Sequence, residues 1–447
     1  MVVTREGFVR VVTNAFSSEG FSMEAAQVIF PSKMFLPDSD LSPIEARWDE
    51  LVEGLTKWEA EVREKGIETP PEITVEGRDY KDAHETVNTL FLRNMWVDGL
   101  PVVPPTRERV DWILRGTDKP REEVIGKILP RGGIATVEAI AVSLAMAGGR
   151  PEYLPVLIAA IEALTDPAQR HERMNTTTNS TYPVVVVNGH VGFDIRLNSG
   201  YGCLGPDPKR PAGASLGRAI RFLLMNLGGA LPGDGSMSIF GGPARYTGLV
   251  FAEDELGIPE AWGALSAEQG YEEGANTVAV YSVASTTNIP GGETGSEKAA
   301  IASLNRAAGF MGSPSGNYWF VTYESGAPPG ILIMARGTAQ GLAELGWSKE
   351  KVKEYLWEHS KVPASQLKPR VDTWWMPKEE ILKDPMPITR SPDKIKIVVA
   401  GGEQSGHMMW LQVGCCPTQL TSAKIELPQI WNDLLDESLE DLGPPDF

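Results

Sequence analysis

The hydrophobic pattern is clearest in the middle of the chain. Tyr182 to Val187 is a short apolar run rich in β-branched residues and bounded by turn signals, which is typical of a strand buried on both faces. Apolar residues recur at helical spacing from Gly213 to Leu227, and Gly228-Gly229 follows where a left-handed cap is expected. Between them, His190 to Pro211 has no clear period and reads as a long loop. This order of strand, polar loop and helix is how α/β proteins present sites at strand ends.

The same alternation of helical and strand patterns continues along most of the chain. We predict helices over Tyr80–Asn94, Thr136–Met146, Pro151–Leu164, Glu293–Ala308 and Ser348–Glu358, and strands over Leu100–Val103, Thr277–Val283, Gly330–Met334 and Lys394–Ala400. Helices and strands that alternate at this spacing favour an α/β fold. We therefore expect mixed or largely parallel sheets flanked by helices.

The first 70 residues have a pattern of their own. Glu6 to Ala15 predicts a short helix, Val28 to Phe30 a short strand, and Ser42 to Lys65 a long amphipathic helix with Trp48 on its apolar stripe. Ser42 and Glu45 have the spacing of a capping box. One strand and two helices cannot bury a sheet alone. We therefore expect a small α/β docking unit that packs on the rest of the chain or on another chain, so a homo-oligomer is one expected outcome.

Composition narrows the class of protein. The 447 residues exceed one simple core, so we expect two α/β lobes after the docking unit, at 71–265 with polar glycine-rich loops and at 266–447 with an acidic tail. No apolar run reaches bilayer length and the N-terminus lacks a signal-peptide pattern, which predicts a cytoplasmic protein without a membrane partner. The formal charge of −18 disfavours nucleic acid as a partner. Three cysteines fit a reducing compartment.

Amides and charged groups are concentrated between Met174 and Tyr246. Each one that is buried without a partner costs ~1–3 kcal/mol, so this stretch either lines a polar cavity or forms an internal hydrogen-bond network. We favour the cavity. The candidate substrate-binding residues are Asn175, Asn179, Asn188, Asn198, Arg218, Asn226, Asp234 and Arg245. The arginines can clamp a carboxylate or phosphate, or they can pair internally with Asp194, Asp207 or Asp234.

The candidate catalytic residues are His190, Asp194, Arg196 and Cys203. His190 and Asp194 share one loop, close enough for a general base and the carboxylate that orients it. Cys203 lies in a glycine-rich loop, where an exposed thiol can have its pKa lowered by Arg196 or Lys209. The alternative is that Cys203 is a small apolar filler in a tight loop, since buried free cysteine is common.

The other cysteines and histidines give no clear indication of a redox or metal site. The adjacent Cys415 and Cys416 are either a strained redox pair or structural residues. The remaining histidines have no metal-site spacing, so no metal ligand is predicted, and the sequence does not identify a cofactor.

Five motifs resemble a poorly characterised bacterial family. They are Asp98-Gly-Leu-Pro-Val-Val-Pro-Pro-Thr106, Gly149-Arg-Pro-Glu-Tyr-Leu-Pro-Val156, Val187-Asn-Gly189, Asn198-Ser-Gly-Tyr-Gly202 and Arg218-Ala-Ile-Arg-Phe-Leu-Leu-Met-Asn226. Members of this family are similar to the large partner of small proteins with a selenocysteine- or cysteine-Gly-Ser-Cys motif. Those small proteins look like the selenoprotein subunit of glycine and proline reductases, which cleave carbon-heteroatom bonds. Residues 1 to 65 are similar to the tail of such a small domain, but the Gly-Ser-Cys motif is absent.

The resemblance implies that a reactive cysteine or selenocysteine comes from a second polypeptide. We therefore expect an enzyme subunit that binds a small polar, anionic organic molecule and cleaves a carbon-heteroatom bond with that partner. One alternative is a self-sufficient hydrolase or lyase that uses Cys203. The other is a non-catalytic scaffold subunit.

Overall fold

The computed structural model describes residues 2–21, 27–36, 38–59, 72–241, 249–292, 294–314, 322–323, 325–367, 383–414 and 418–444. Within these ranges the strands are β1 Val2–Arg5, β2 Gln27–Phe30, β3 Val124–Ile128, β4 Gly133–Thr136, β5 Tyr182–Asn188, β6 Leu249–Ala252, β7 Thr277–Ile289, β8 Gly330–Met334, β9 Lys396–Val399, β10 Met408–Val413 and β11 Thr421–Lys424.

The helices of the same ranges alternate with these strands. They are α1 Val9–Ser18, α2 Ser42–Glu45, α3 Trp48–Thr56, α4 Tyr80–Arg93, α5 Arg107–Leu114, α6 Val137–Met146, α7 Leu154–Thr165, α8 His171–Thr176, α9 Val191–Asp194, α10 Ala212–Asn226, α11 Leu265–Glu268, α12 Glu297–Met311, α13 Arg336–Glu344, α14 Lys349–His359, α15 Ala364–Leu367 and α16 Trp431–Leu442.

Seven strands form one mixed sheet, which confirms the expected α/β fold. The order is β6-β5-β7-β10-β8-β9, with β11 also paired to β7, and the sheet curls into a half-barrel. The pairs β5–β6 and β8–β9 are parallel, and the others are antiparallel. Strands from 71–265 and from 266–447 belong to this same sheet.

Both faces of the sheet are buried. Along β5, Val184 and Val186 belong to one apolar cluster, whereas Val185 and Val187 belong to another. This alternation is the two-residue period of a strand. Helices α7 and α10 pack on one face beside β6 and β7, α6 packs on these two helices, and α12 packs farther along beside β10. The opposite face is covered by residues that include Cys203 and Leu265.

The two edge strands, β6 and β9, approach each other at their C-terminal ends. The backbone N–H of Ala252 donates to the carbonyl of Asn198 at 3.0 Å, and that of Gly401 donates to Ser199 at 2.8 Å. Asp254 N–H reaches the carbonyl of Val399 at 2.8 Å. The loop after α9 therefore bridges the open side of the half-barrel.

The N-terminal unit is a two-stranded parallel sheet, β1–β2, with α1, α2 and α3. It docks on the main body through α1: Asn14 is buried, and Lys127 Nζ from β3 donates to the carbonyl of Ser18. Gly132 leaves room for this contact, because a Cβ there would lie 2.8 Å from Ser18 Cα. Parts of the unit remain open, with Trp48 61% and Leu55 71% exposed.

Some local predictions are wrong or only partly right. The predicted helix over Ser42–Lys65 is broken between α2 and α3, and its last six residues lie outside the described ranges. The capping box is absent, because Ser42 is the first helical residue and its Oγ bonds Asp40. Leu100–Val103 is not a strand, since the Val102 N–H donates to the Asn88 side chain instead. The loop His190–Pro211 contains the one-turn helix α9.

Candidate functional site

The C-terminal end of β5 carries a buried polar cluster around Asn188 and Glu253. Asn188 Nδ2 donates to Glu253 Oε2 at 2.7 Å and to Glu255 Oε1 at 2.8 Å. The Glu253 carboxylate also accepts the backbone N–H of Leu265 at 2.7 Å and of Val399 at 3.2 Å. Burial raises the pKa of Glu253, although these donors and Lys349 act in the opposite direction. The cluster joins β5, β6, α11 and β9.

His190 and Asp194 lie in contact across one turn, two residues beyond that cluster. His190 Nδ1 lies 2.7 Å from Asp194 Oδ1, and the two side chains are 75% and 15% exposed. Trp431 Nε1 donates to the other oxygen, Asp194 Oδ2, at 3.4 Å. Within the described part of the chain, Nε2 of His190 has no hydrogen-bond partner. A carboxylate beside one imidazole nitrogen, with the other nitrogen exposed, can serve general acid-base chemistry.

Arg196 lies just after this turn, but its side chain contacts the end of α16 and not the His190–Asp194 pair. Its backbone is in the left-handed region, at φ 58°, and the residue is 6% exposed. Its guanidinium donates to the carbonyls of Ser438, Leu442 and Gly443 at the end of α16. These bonds satisfy carbonyls that a helix leaves unpaired, and the positive charge suits the negative end of the helix.

Asn198 organises the loop that bridges the sheet edges. Its Nδ2 donates to the carbonyl of Tyr201 at 2.9 Å and to Asp207 Oδ2 at 3.0 Å, and its Oδ1 accepts the Gly200 N–H at 2.8 Å. All of these partners lie within nine positions along the chain. The contacts therefore shape the loop itself.

Cys203 is 7% exposed and packs in the apolar cluster on one face of the sheet. Burial raises the pKa of its thiol to about 12. The burial contradicts the alternative of an exposed thiol, and the interpretation of Cys203 as a small apolar filler fits the structure. Cys203 is the one cysteine within the described residues, because Cys415 and Cys416 lie outside them.

Most of the other candidates have internal partners in separate places. Asn175 Nδ2 donates to the carbonyl of Leu129, Arg218 pairs with Asp98, Asn226 Nδ2 donates to the carbonyl of Trp96, and Asp234 pairs with Arg10 of α1. Asn179 is half-buried, and its backbone N–H donates to Thr177 Oγ1. Arg245 lies outside the described residues.

The expectation that these groups converge on one hollow is therefore corrected. Internal partners satisfy most of the buried groups, which is the internal-network alternative, although Asn188 Oδ1 is buried without a hydrogen-bond partner among the described residues. Of the candidates, the structure brings together Asn188, His190 and Asp194 around the end of β5, whereas Arg218, Asn226 and Asp234 lie in other networks.

A small cavity does lie within the region that the sequence singled out. Its volume is about 30 Å³, and residues between Met174 and Val250 line it, including Asn175, Tyr182 and Arg221. The lining is mainly apolar. Such a volume holds one or two water molecules, whereas organic ligands occupy sites of about 300 Å³ or more. In this structure the cavity does not accommodate an organic substrate.

Sequence reasoning missed Glu253 and Trp431. The signal for Glu253 was the apolar run Leu249–Ala252 followed directly by three acids, Glu253 to Glu255. No local pattern pointed to Trp431, because its partner Asp194 is 237 positions away.

Two further observations concern the described ranges alone. They contain no group of three His, Cys, Asp or Glu side chains placed to hold a metal ion. They also contain no helix with the length and apolar character needed to cross a membrane.

Comparison with protein-family models, with curated proteins and with solved structures finds no match for this chain. A function for this chain is therefore inferred from the geometry at the end of β5.

Proposed function

We propose that this protein is an enzyme subunit that binds a small polar organic molecule and cleaves a carbon-heteroatom bond together with a thiol- or selenol-bearing partner protein. The observation that carries the proposal is the 2.7 Å contact between His190 Nδ1 and Asp194 Oδ1 beside an exposed imidazole ring. Asp194 holds the Nδ1–H form of His190, so Nε2 is the nitrogen that exchanges protons with a substrate.

The state of Cys203 supports a nucleophile from a second protein. A thiolate is the reactive form of cysteine, and a buried thiol with a pKa of about 12 is almost entirely protonated near neutral pH. In the proposed step, the partner's thiolate or selenolate supplies the electron pair for a new bond to the substrate carbon. The carbon-heteroatom bond breaks with its electron pair on the heteroatom, and protonated His190 supplies the proton to that leaving group.

The exposed apolar residues of the N-terminal unit support a docked partner. Phe35, Leu36, Leu41, Trp48 and Leu55 are each between 46% and 71% exposed. Large apolar side chains grouped on one small unit are typical of protein interfaces. The same surface would serve a second copy of this chain, so the oligomeric state belongs to the test.

The substrate-clamp role of the arginines has less support. Arg196 and Arg218 use their guanidinium groups on internal carbonyls and on Asp98. Asn188 likewise binds two internal carboxylates. The proposal therefore assigns proton transfer to His190 and Asp194, and leaves these three residues structural roles at the strand ends.

The test combines the purified chain with the protein encoded beside its gene. We expect the two to co-elute in size-exclusion chromatography and to release the heteroatom group from a panel of small polar acids. His190→Asn should reduce the rate at least about 100-fold, as expected for loss of a general acid-base group. His359→Asn, at an exposed histidine of α14, is the matched control. Lack of co-elution, or a rate that survives iodoacetamide treatment of the neighbour, contradicts the proposal.

The internal pairing of so many polar residues favours a second candidate, a non-catalytic scaffold subunit. For that function, His190→Asn and Asp194→Asn would leave the partner's rate unchanged while complex formation persists. The two functions therefore differ in one measurement, the rate of the assembled complex.

A further inference from the structure

Helix α16 lies against the turn that carries the His190–Asp194 pair. Its first residue, Trp431, is 9% exposed and donates from Nε1 to Asp194 Oδ2 at 3.4 Å. Its last turn accepts the hydrogen bonds of Arg196, which is two residues after Asp194. Both ends of the helix therefore contact the segment that follows His190.

The contact with Arg196 fixes where this turn ends. Arg196 adopts φ 58°, a left-handed conformation that non-glycine residues rarely take. Its N–H donates to the carbonyl of Phe193, and the Leu197 N–H donates to that of Gly192, which closes the one-turn helix α9. The buried guanidinium, with three carbonyl acceptors on α16, holds the residue in this conformation.

Two other cations hold α16 without touching the pair. Arg115 donates to both oxygens of Glu437, at 2.9 and 2.6 Å, and Arg150 donates to Asp441 at 2.8 Å. The helix is thus fastened at several points. Trp431 is the point at which it reaches the Asp194 carboxylate.

We propose that α16 is the positioning element of the His190–Asp194 pair, with Trp431 and Arg196 as positioning residues. Trp431 donates a hydrogen bond to Oδ2 of Asp194, which leaves Oδ1 facing His190 Nδ1. Arg196 holds the end of α9 and with it the backbone of Asp194. The inference depends on the proposed function for its catalytic meaning, because a fixed tautomer matters only where His190 transfers protons.

The experiment measures the imidazole tautomer in the full-length chain. The ¹⁵N chemical shifts of the His190 ring are assigned by comparison with His190→Asn. They are recorded at about pH 8.5, about two pH units above the ordinary pKa of a histidine side chain. We expect the wild type to show the Nδ1–H form. Trp431→Phe keeps the aromatic packing and removes the donor, so we expect the shifts to move towards an average of both tautomers. Arg196→Met should move them in the same direction.

Arg115→Met is the matched control, because it loosens the same helix at a residue that does not contact Asp194. It should lower stability and leave the His190 tautomer unchanged. An unchanged tautomer in Trp431→Phe, or the same shift in Arg115→Met, overturns the inference. The tautomer measurement needs no substrate. The tautomer can therefore be independent of α16 even if His190→Asn loses activity, and it can depend on α16 even if His190→Asn stays active.

Discussion

Asp98 and Arg218 form a two-pronged ion pair that fastens the segment before α5 to helix α10. Arg218 Nε and Nη2 lie 2.9 Å from Asp98 Oδ2 and Oδ1, and the Asp98 side chain is 2% exposed. Nη2 also donates to the carbonyls of Leu100 and Pro101. The pair joins the first and last of the motifs noted in the sequence, so their joint presence has a structural explanation.

Removal of one member of this pair should strongly destabilise the protein. Asp98→Ala leaves a guanidinium without its counter-ion, and we expect the free energy of unfolding to fall by roughly 3–5 kcal/mol. Asp111→Asn is the control, because its pair with Arg121 is half-exposed and loss of such a pair costs about 1 kcal/mol or less. Urea titration measures the free energy of unfolding of both variants. We expect its dependence on urea concentration to be the same as in the wild type. Equal losses in the two variants would contradict the prediction.

A second prediction concerns Asn188, which donates to Glu253 and Glu255. Asn188→Asp places a third carboxylate against two others, so we expect a loss of at least about 3 kcal/mol at pH 7. The new carboxyl group has a raised folded-state pKa, so the folded variant binds an extra proton and regains stability as the pH falls.

The control for this substitution is Asn226→Asp. Asn226 donates to the Trp96 carbonyl on the exposed side of α10, so its loss should be smaller and less dependent on pH. Thermal unfolding between pH 4.5 and 7.5 compares the two variants. A pH-independent loss in Asn188→Asp would show that the carboxylates do not interact.

A third prediction follows from His171, which is 3% exposed and accepts the Leu129 N–H at Nε2, 2.8 Å away. Burial lowers its pKa from 6.5 to about 4. Between these values the unfolded chain binds the proton and the folded chain does not, so stability falls as the pH drops from 6.5 towards 4. The full contribution is about 3 kcal/mol.

His171→Gln removes this titration and keeps a side-chain acceptor. The difference in unfolding free energy between wild type and variant should therefore shrink by about 3 kcal/mol from pH 7.5 to pH 4. A difference that stays constant over this range would show that His171 is not buried as a neutral group.

A fourth prediction concerns the reactivity of Cys203. With a pKa of about 12 and 7% exposure, its thiol should resist iodoacetamide in the native protein at pH 8. In urea the same residue should react like a free cysteine. Peptide mass spectrometry separates Cys203 from the other two cysteines. Rapid native labelling would restore the interpretation of Cys203 as a nucleophile.

The sequence predicted those features that depend on neighbours along the chain. The apolar run of β5 and the helical period of α10 predicted both elements to within about two residues, because periodicity reports directly which face is buried. The His190–Asp194 contact was also within reach, since residues four apart meet across one helical turn. Strands β6, β10 and β11 were not predicted, and β11 contains a single apolar residue, Ala423.

The tertiary structure decided where each polar side chain finds its partner. Arg218 meets Asp98 from 120 positions away, and Arg196 meets the end of α16 from 242 to 247 positions away. The sequence tells us that each arginine has five N–H donors, but it does not tell us which groups accept their hydrogen bonds. An internal carbonyl can accept such a bond as well as a substrate can. The amides and arginines of the middle third were therefore visible from the sequence. Only the folded chain determined that most of them have partners elsewhere in the protein, while His190 Nε2 has no hydrogen-bond partner among the described residues.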